Sequence, residues 1–153
     1  MHFNIAEMNV AAGRWPMTDP RMAEFVRAIA KVNADADAAP GFVWRMPEYL
    51  LEEDAIEISG QANLLVNMSL WRDVDALRAF TYTTSDHLDA LRRRREWFVR
   101  LEVPNYVMWW VPEGELPTVA EGRRRLALLA EHGPTPEAFH FNAIQPTPDE
   151  VAA

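Results

Sequence analysis

Cysteine is absent from this 153-residue chain, which excludes disulfides, thiol nucleophiles and any zinc–thiolate site. Lysine is nearly absent: of 15 basic residues only Lys31 is not an arginine, a bias typical of a GC-rich bacterial genome and without bearing on fold. No apolar run approaches the roughly 20 residues of a bilayer-spanning helix, so no membrane partner is expected. The opening Met1-His2-Phe3-Asn4 has neither the charged start nor the apolar stretch of a secretory signal, and the expected location is the cytoplasm. No glycine-rich phosphate loop and no nucleophile elbow occur. A net charge of −8 argues against nucleic acid as a partner. The run Arg92-Arg93-Arg94-Arg95 does not reverse this, because four consecutive helical residues point in four directions. Asp86, Asp89 and Glu96 stand at helical spacing to pair with them, leaving at most one arginine to hold an anion.

What remains is an ordinary globular composition, 49% apolar and 25% charged, with room for one core. Phe3 to Val10 alternates as a strand. Asp19-Pro20 starts a helix carrying Met22, Phe25, Val26, Ile29 and Val32 at spacings of three and four, fading near Asn33. Pro40-Gly41 turns the chain into a second strand, Phe42 to Met46, followed by an acidic connection with a short strand piece at 55–58. Asn63 to Trp71 alternates most clearly of all. Asp73 caps a helix through Val74, Leu77 and Phe80, and Thr83-Thr84-Ser85 breaks it before a second stretch with His87, Leu91 and Phe98. Tyr106 to Val111 is a further strand, and a last helix from Val119 to Glu131 stops at Gly133-Pro134. The order β-α-β-β-α-β plus a C-terminal helix predicts an α+β, ferredoxin-like domain over 1–145, with a flexible tail over 146–153.

Such a sheet carries helices on one side, so its other face needs a cover. Placing Glu7, Asn9, Asn67, Ser69 and Trp71 on that open face, with Trp44 or Arg45 from the second strand, makes it half polar and half aromatic. The expected solution is a homodimer closing two sheets around a lined cavity. An amide or carboxylate on a covered face costs about 1–3 kcal/mol if left unpaired. These groups therefore either share an internal polar network over ordered water or meet a ligand. Glu7 is the candidate general base, because burial raises a carboxylate pKa towards neutrality. His87 is either a surface or cap residue or a second proton carrier. Trp44 and Trp71 would wall an aromatic pocket, with Asn9, Asn67 and Ser69 orienting polar atoms. His2, His132 and His140 have no companions at ligand spacing, so no metal site is expected.

The segments Ala6-Glu7-Met8-Asn9-Val10, Asp19-Pro20-Arg21-Met22, Pro40 to Arg45, Leu65 to Trp71, His87 with Arg92 to Phe98, Trp109 to Pro112, Pro117-Thr118 and Gly133 to Pro136 resemble, in order, the bacterial family called domain of unknown function 3291. That family usually reads Gln at the place of Glu7 and often His at that of Asn4. The resemblance implies a dimeric α/β-barrel fold related to the antibiotic-biosynthesis monooxygenase group. Haem-degrading members of that group use an Asn on strand one, and a Trp and a His after strand three. Asn9 and His87 fall near such places, but Phe80 stands where the Trp would. Cofactor-free members oxidise electron-rich phenols and quinols. The implied activity is thus a cofactor-free, monooxygenase-like or acid–base enzyme acting on a small aromatic or apolar metabolite. The alternatives are a non-catalytic ligand-binding dimer and, third, a haem-binding protein.

Overall fold

The computed structural model describes residues 1–47, 64–101 and 104–153. The expected strand piece at 55–58 lies outside them. β1 (Phe3–Gly13) runs into a 3-10 turn (Pro20–Met22) whose start is capped by the Asp19 carboxylate, which accepts the Arg21 N–H. α1 (Ala23–Asp37) follows, running four residues past the fade expected at Asn33, because Val32, Asn33 and Ala36 are all buried. β2 (Phe42–Arg45), β3 (Leu64–Trp71), α2 (Val74–Thr83) and α3 (Ser85–Arg92) come next. Asp73 Oδ1 accepts the Ala76 N–H at 2.7 Å, the expected cap of α2. The arginine run ends α3 at Arg92, and a single turn, α4 (Arg94–Trp97), leads to a two-residue strand, β4 (Phe98–Val99). β5 (Tyr106–Pro112) and α5 (Val119–His132) complete the domain, and Gly133 at φ 70° ends α5. Beyond Pro146, where a tail was expected, α6 (Pro148–Ala152) forms with a capping box at Thr147.

The antiparallel sheet has the order β2-β3-β1-β5, and β4 extends the β5 edge of β1. This is the ferredoxin-like arrangement. The C-terminal segment lies against β5, since Met108 and Phe139 exchange backbone hydrogen bonds of 2.8 and 3.0 Å.

Both faces of the sheet are covered by the chain's own helices, which corrects the one-sided expectation. One face carries Ala6, Met8, Val10, Met68, Leu70, Val107 and Trp109, and packs on Val119, Leu126 and Leu129 of α5. Gly122 lets α5 come this close, because a Cβ there would sit 2.4 Å from Met8 Sδ. The opposite face carries Ile5, Glu7, Asn9 and Ala11 of β1 beside Trp71, Ser69, Asn67 and Leu65 of β3. It lies beneath α1 and α2 through Ala36, Leu77 and Phe80. No uncovered tryptophan face exists among the described residues: Trp71 and Trp109 are both 0% exposed and point to opposite sides. Among these residues no helix is long and apolar enough to cross a membrane.

Candidate functional site

On the face beneath α1, two apolar clusters stand apart. One gathers Ile5, Trp71, Leu77, Met108 and Phe139 with Phe42 and Phe80. The other gathers Met22, Phe25 and Trp97 with Ile29 and Leu65. Between them the sheet is polar. One row across three strands reads Asn67–Asn9–Tyr106, and the adjacent row reads Ser69–Glu7–Met108. Along β1, accessible surface is confined to this face. Glu7, Asn9 and Ala11 are half-buried while Ala6, Met8, Val10 and Ala12 between them are buried. The face is thus polar and partly accessible at its centre and apolar at both ends.

Asn9 Nδ2 donates to Glu7 at 3.0 Å from each carboxylate oxygen. Burial raises the Glu7 pKa to about 7, against the pull of the Asn9 hydrogen bond. Ser69 Oγ accepts the Trp71 Nε1–H at 2.9 Å. The Asn67 amide makes no hydrogen bond among the described residues, yet it is half-buried on the same strip.

His87 reaches this region through aromatic rings. Its ring centroid is 5.2 Å from that of Phe80, which stacks on Trp71 at 5.0 Å. Its Nδ1 lies 2.8 Å from the Thr81 carbonyl oxygen. That contact assigns the proton to Nδ1 and leaves Nε2 as an acceptor. Burial lowers the His87 pKa, with the Thr81 bond opposing it. Of the residues expected on one face, Glu7, Asn9, Asn67, Ser69 and Trp71 share it. Trp44 does not. A bulge between Phe42 and Trp44 sets Trp44 opposite Leu70, where it packs with the α5-facing core. Phe42 takes its place, edge-on to Trp71 at 5.5 Å.

Sequence reasoning passed over Phe42, Phe80, Met108 and Tyr106 as parts of this face. Alternation along β5 was the available signal, since it sets Tyr106, Met108 and Trp110 on the face opposite to Val107 and Trp109. Among the described residues no group of three or more His, Asp or Glu could hold a metal ion.

Solved structures share this fold. SnoaB, a cofactor-independent oxygenase from Streptomyces nogalater, is 22% identical, with 76% of this chain covering 99% of that one at a TM-score of 0.51. NE2512 from Nitrosomonas europaea, a protein of unknown function, is 11% identical over 76% of this chain and 96% of its own, also at 0.51. A candidate antibiotic biosynthesis monooxygenase from Chloroflexus aurantiacus is 11% identical over 74% of this chain and 97% of its own, at 0.49. No curated protein is significantly similar to the chain in sequence. The family model described as domain of unknown function 3291 matches residues 4–153, and the chain belongs to that family.

Proposed function

We propose that this protein binds a small aromatic or largely apolar metabolite over the Glu7 strip and acts on it as a cofactor-free, monooxygenase-like or acid–base enzyme. The observation that carries the reading is the Glu7 carboxyl, set on a helix-covered face with a pKa of about 7, where a base can both accept and return a proton at working pH. The apolar clusters at either end suit an aromatic body. Asn67, Asn9 and Ser69 suit its polar atoms. The likeness to SnoaB supports this through shared fold alone.

In the oxygenase version, Glu7 takes a proton from an activated CH₂ group of an electron-rich phenol. The substrate anion passes an electron to dioxygen, and the two radicals join as a carbon-bound peroxide. Loss of water then leaves a carbonyl. One oxygen atom ends in the product and the other in water, and all electrons come from the substrate. A haem does not suit this strip, where two amides and a carboxylate lie at the centre of the face. His87 also has its ring packed on Phe80.

A non-catalytic binding protein is the second reading. The contact from Asn9 to both Glu7 oxygens favours it, because a carboxylate engaged on both oxygens is less free to take a substrate proton. Oxygen uptake with a panel of electron-rich phenols separates the two. Turnover by the unmodified protein, lost about 10²–10⁴-fold in Glu7→Gln, supports the enzyme. Binding without turnover supports the second reading. The fold's resemblance to dimeric α/β-barrel proteins leads us to propose a homodimer in the cytoplasm. A 17.5 kDa species in light scattering would contradict the dimer.

A further inference from the structure

We infer that Tyr106 is a second proton-handling group of this site, its hydroxyl donating a hydrogen bond to the oxygen of a phenolic or enolic substrate while Glu7 takes the proton. This rests on the reading of the strip as a phenol-binding pocket and goes one step into it.

Tyr106 stands opposite Asn9 on β5, as Asn67 does on β3, so one row across the sheet ends in a phenol and an amide with the Glu7–Asn9 pair beside it. Its ring is half-buried and packs with the cluster of Met108, Phe139 and Trp71. Its oxygen accepts the Phe141 backbone N–H at 3.1 Å. That bond occupies a lone pair. The phenolic hydrogen has no acceptor among the described residues, so it is available to a bound molecule. A hydroxyl that already accepts a hydrogen bond is polarised towards donating one.

The donor is also held in place. The segment bearing Phe141 is pinned to β5 by the Met108–Phe139 backbone bonds, and the Phe141 ring sits 6.0 Å from Tyr106 and 5.4 Å from Tyr82. Burial raises the Tyr106 pKa against the pull of the Phe141 hydrogen bond, with smaller raising contributions from the Tyr82 and Glu7 charges. The phenol therefore stays protonated and serves as a donor at neutral pH. When a carboxylate removes a proton from a substrate hydroxyl or the carbon beside it, charge collects on the substrate oxygen. A fixed donor at that oxygen stabilises the charge, with the Asn67 amide available on the other side.

The test uses 4-nitrophenol, whose ionised form is coloured, with 4-nitrotoluene, which has a methyl in place of the hydroxyl, as a hydroxyl-free control. Both are titrated calorimetrically and optically into the unmodified protein, Tyr106→Phe and Glu7→Gln. Tyr106→Phe keeps the ring and should weaken nitrophenol binding about 10- to 100-fold while leaving nitrotoluene unchanged. Equal nitrophenol affinity in Tyr106→Phe, with loss in Glu7→Gln, would overturn the role of Tyr106 and leave the pocket reading standing. Equal weakening of both probes would make Tyr106 structural only. Failure of the unmodified protein to bind nitrophenol would overturn the phenol pocket, and the Tyr106 role with it.

Discussion

Asn9 Nδ2 sits 3.0 Å from both carboxylate oxygens of Glu7, two residues earlier on the same strand and face. Asn67, directly across from Asn9 on β3, makes no hydrogen bond among the described residues. One asparagine is spent on holding the acid and the other is open, so the two are expected to answer mutation differently.

Glu7 favours acid pH for the fold. Its folded pKa of about 7 lies above the ordinary 4.5. The stability it contributes is therefore fully present below 4.5 and is lost as pH rises from there to about 7. At roughly 1.36 kcal/mol per pKa unit, the loss approaches about 3 kcal/mol. Glu7→Gln keeps an acceptor for Asn9 and should melt higher than the unmodified protein at pH 8 but alike at pH 4. Thermal melts across this range check it, and a pH-independent difference would contradict it.

His87 has the opposite sign. Its pKa is depressed from 6.5 by burial, so its contribution is present above 6.5 and is lost as pH falls through the lower folded value. His87→Gln should flatten the acid side of the stability profile while leaving the melting temperature at pH 8 nearly unchanged. Were His87 also a proton carrier, the same variant would lose about 10²–10⁴-fold in turnover.

Asn67→Leu should weaken binding of a phenolic ligand by about tenfold, since an open amide is what it removes. Its stability cost should stay within about 1 kcal/mol, because no hydrogen bond among the described residues is broken. Met68→Asp, one residue on, should cost about 4 kcal/mol or more, because Met68 is 1% exposed in the α5-facing core and the charge has no partner there. Urea titrations of the two variants read the contrast, and equal loss would make Asn67 a structural residue.

Strand alternation and capping made much of this fold legible. Asn63 to Trp71 was readable because its side chains alternate between two faces, Tyr106 to Val111 because it is a short run of apolar, β-branched and aromatic residues, and Asp73 because a carboxylate before an apolar helical stripe is a cap. The grouping of Glu7, Asn9, Asn67, Ser69 and Trp71 followed from the same period of two. Which face the helices cover did not follow. Both faces hold large apolar residues, and only packing shows α5 lying over Met8 and Met68 while α1 and α2 pack on Ile5 and Trp71 of the other face. Trp44 was misplaced because one bulge between Phe42 and Trp44 reverses its side. Tyr106 was passed over because the hydrogen bond that fixes its hydroxyl comes from Phe141, 35 residues further along.

Gly41 joins α1 to β2 at φ +82°, and a Cβ there would lie 2.5 Å from Ala76 Cβ on α2. Neither the backbone nor a Cβ can yield cheaply. Gly41→Ala should cost about 2 kcal/mol or more, read by chemical denaturation. A loss below about 0.5 kcal/mol would show that α2 can move away from the turn.

The central claim is that the Glu7 carboxyl is a base poised at neutrality, and carboxyl-carbon NMR of glutamate-labelled protein tests it most directly, with Glu7→Gln assigning the signal. The account predicts a resonance titrating at about 7. A Glu7 signal titrating near 4.5, as an ordinary glutamate does, would contradict it.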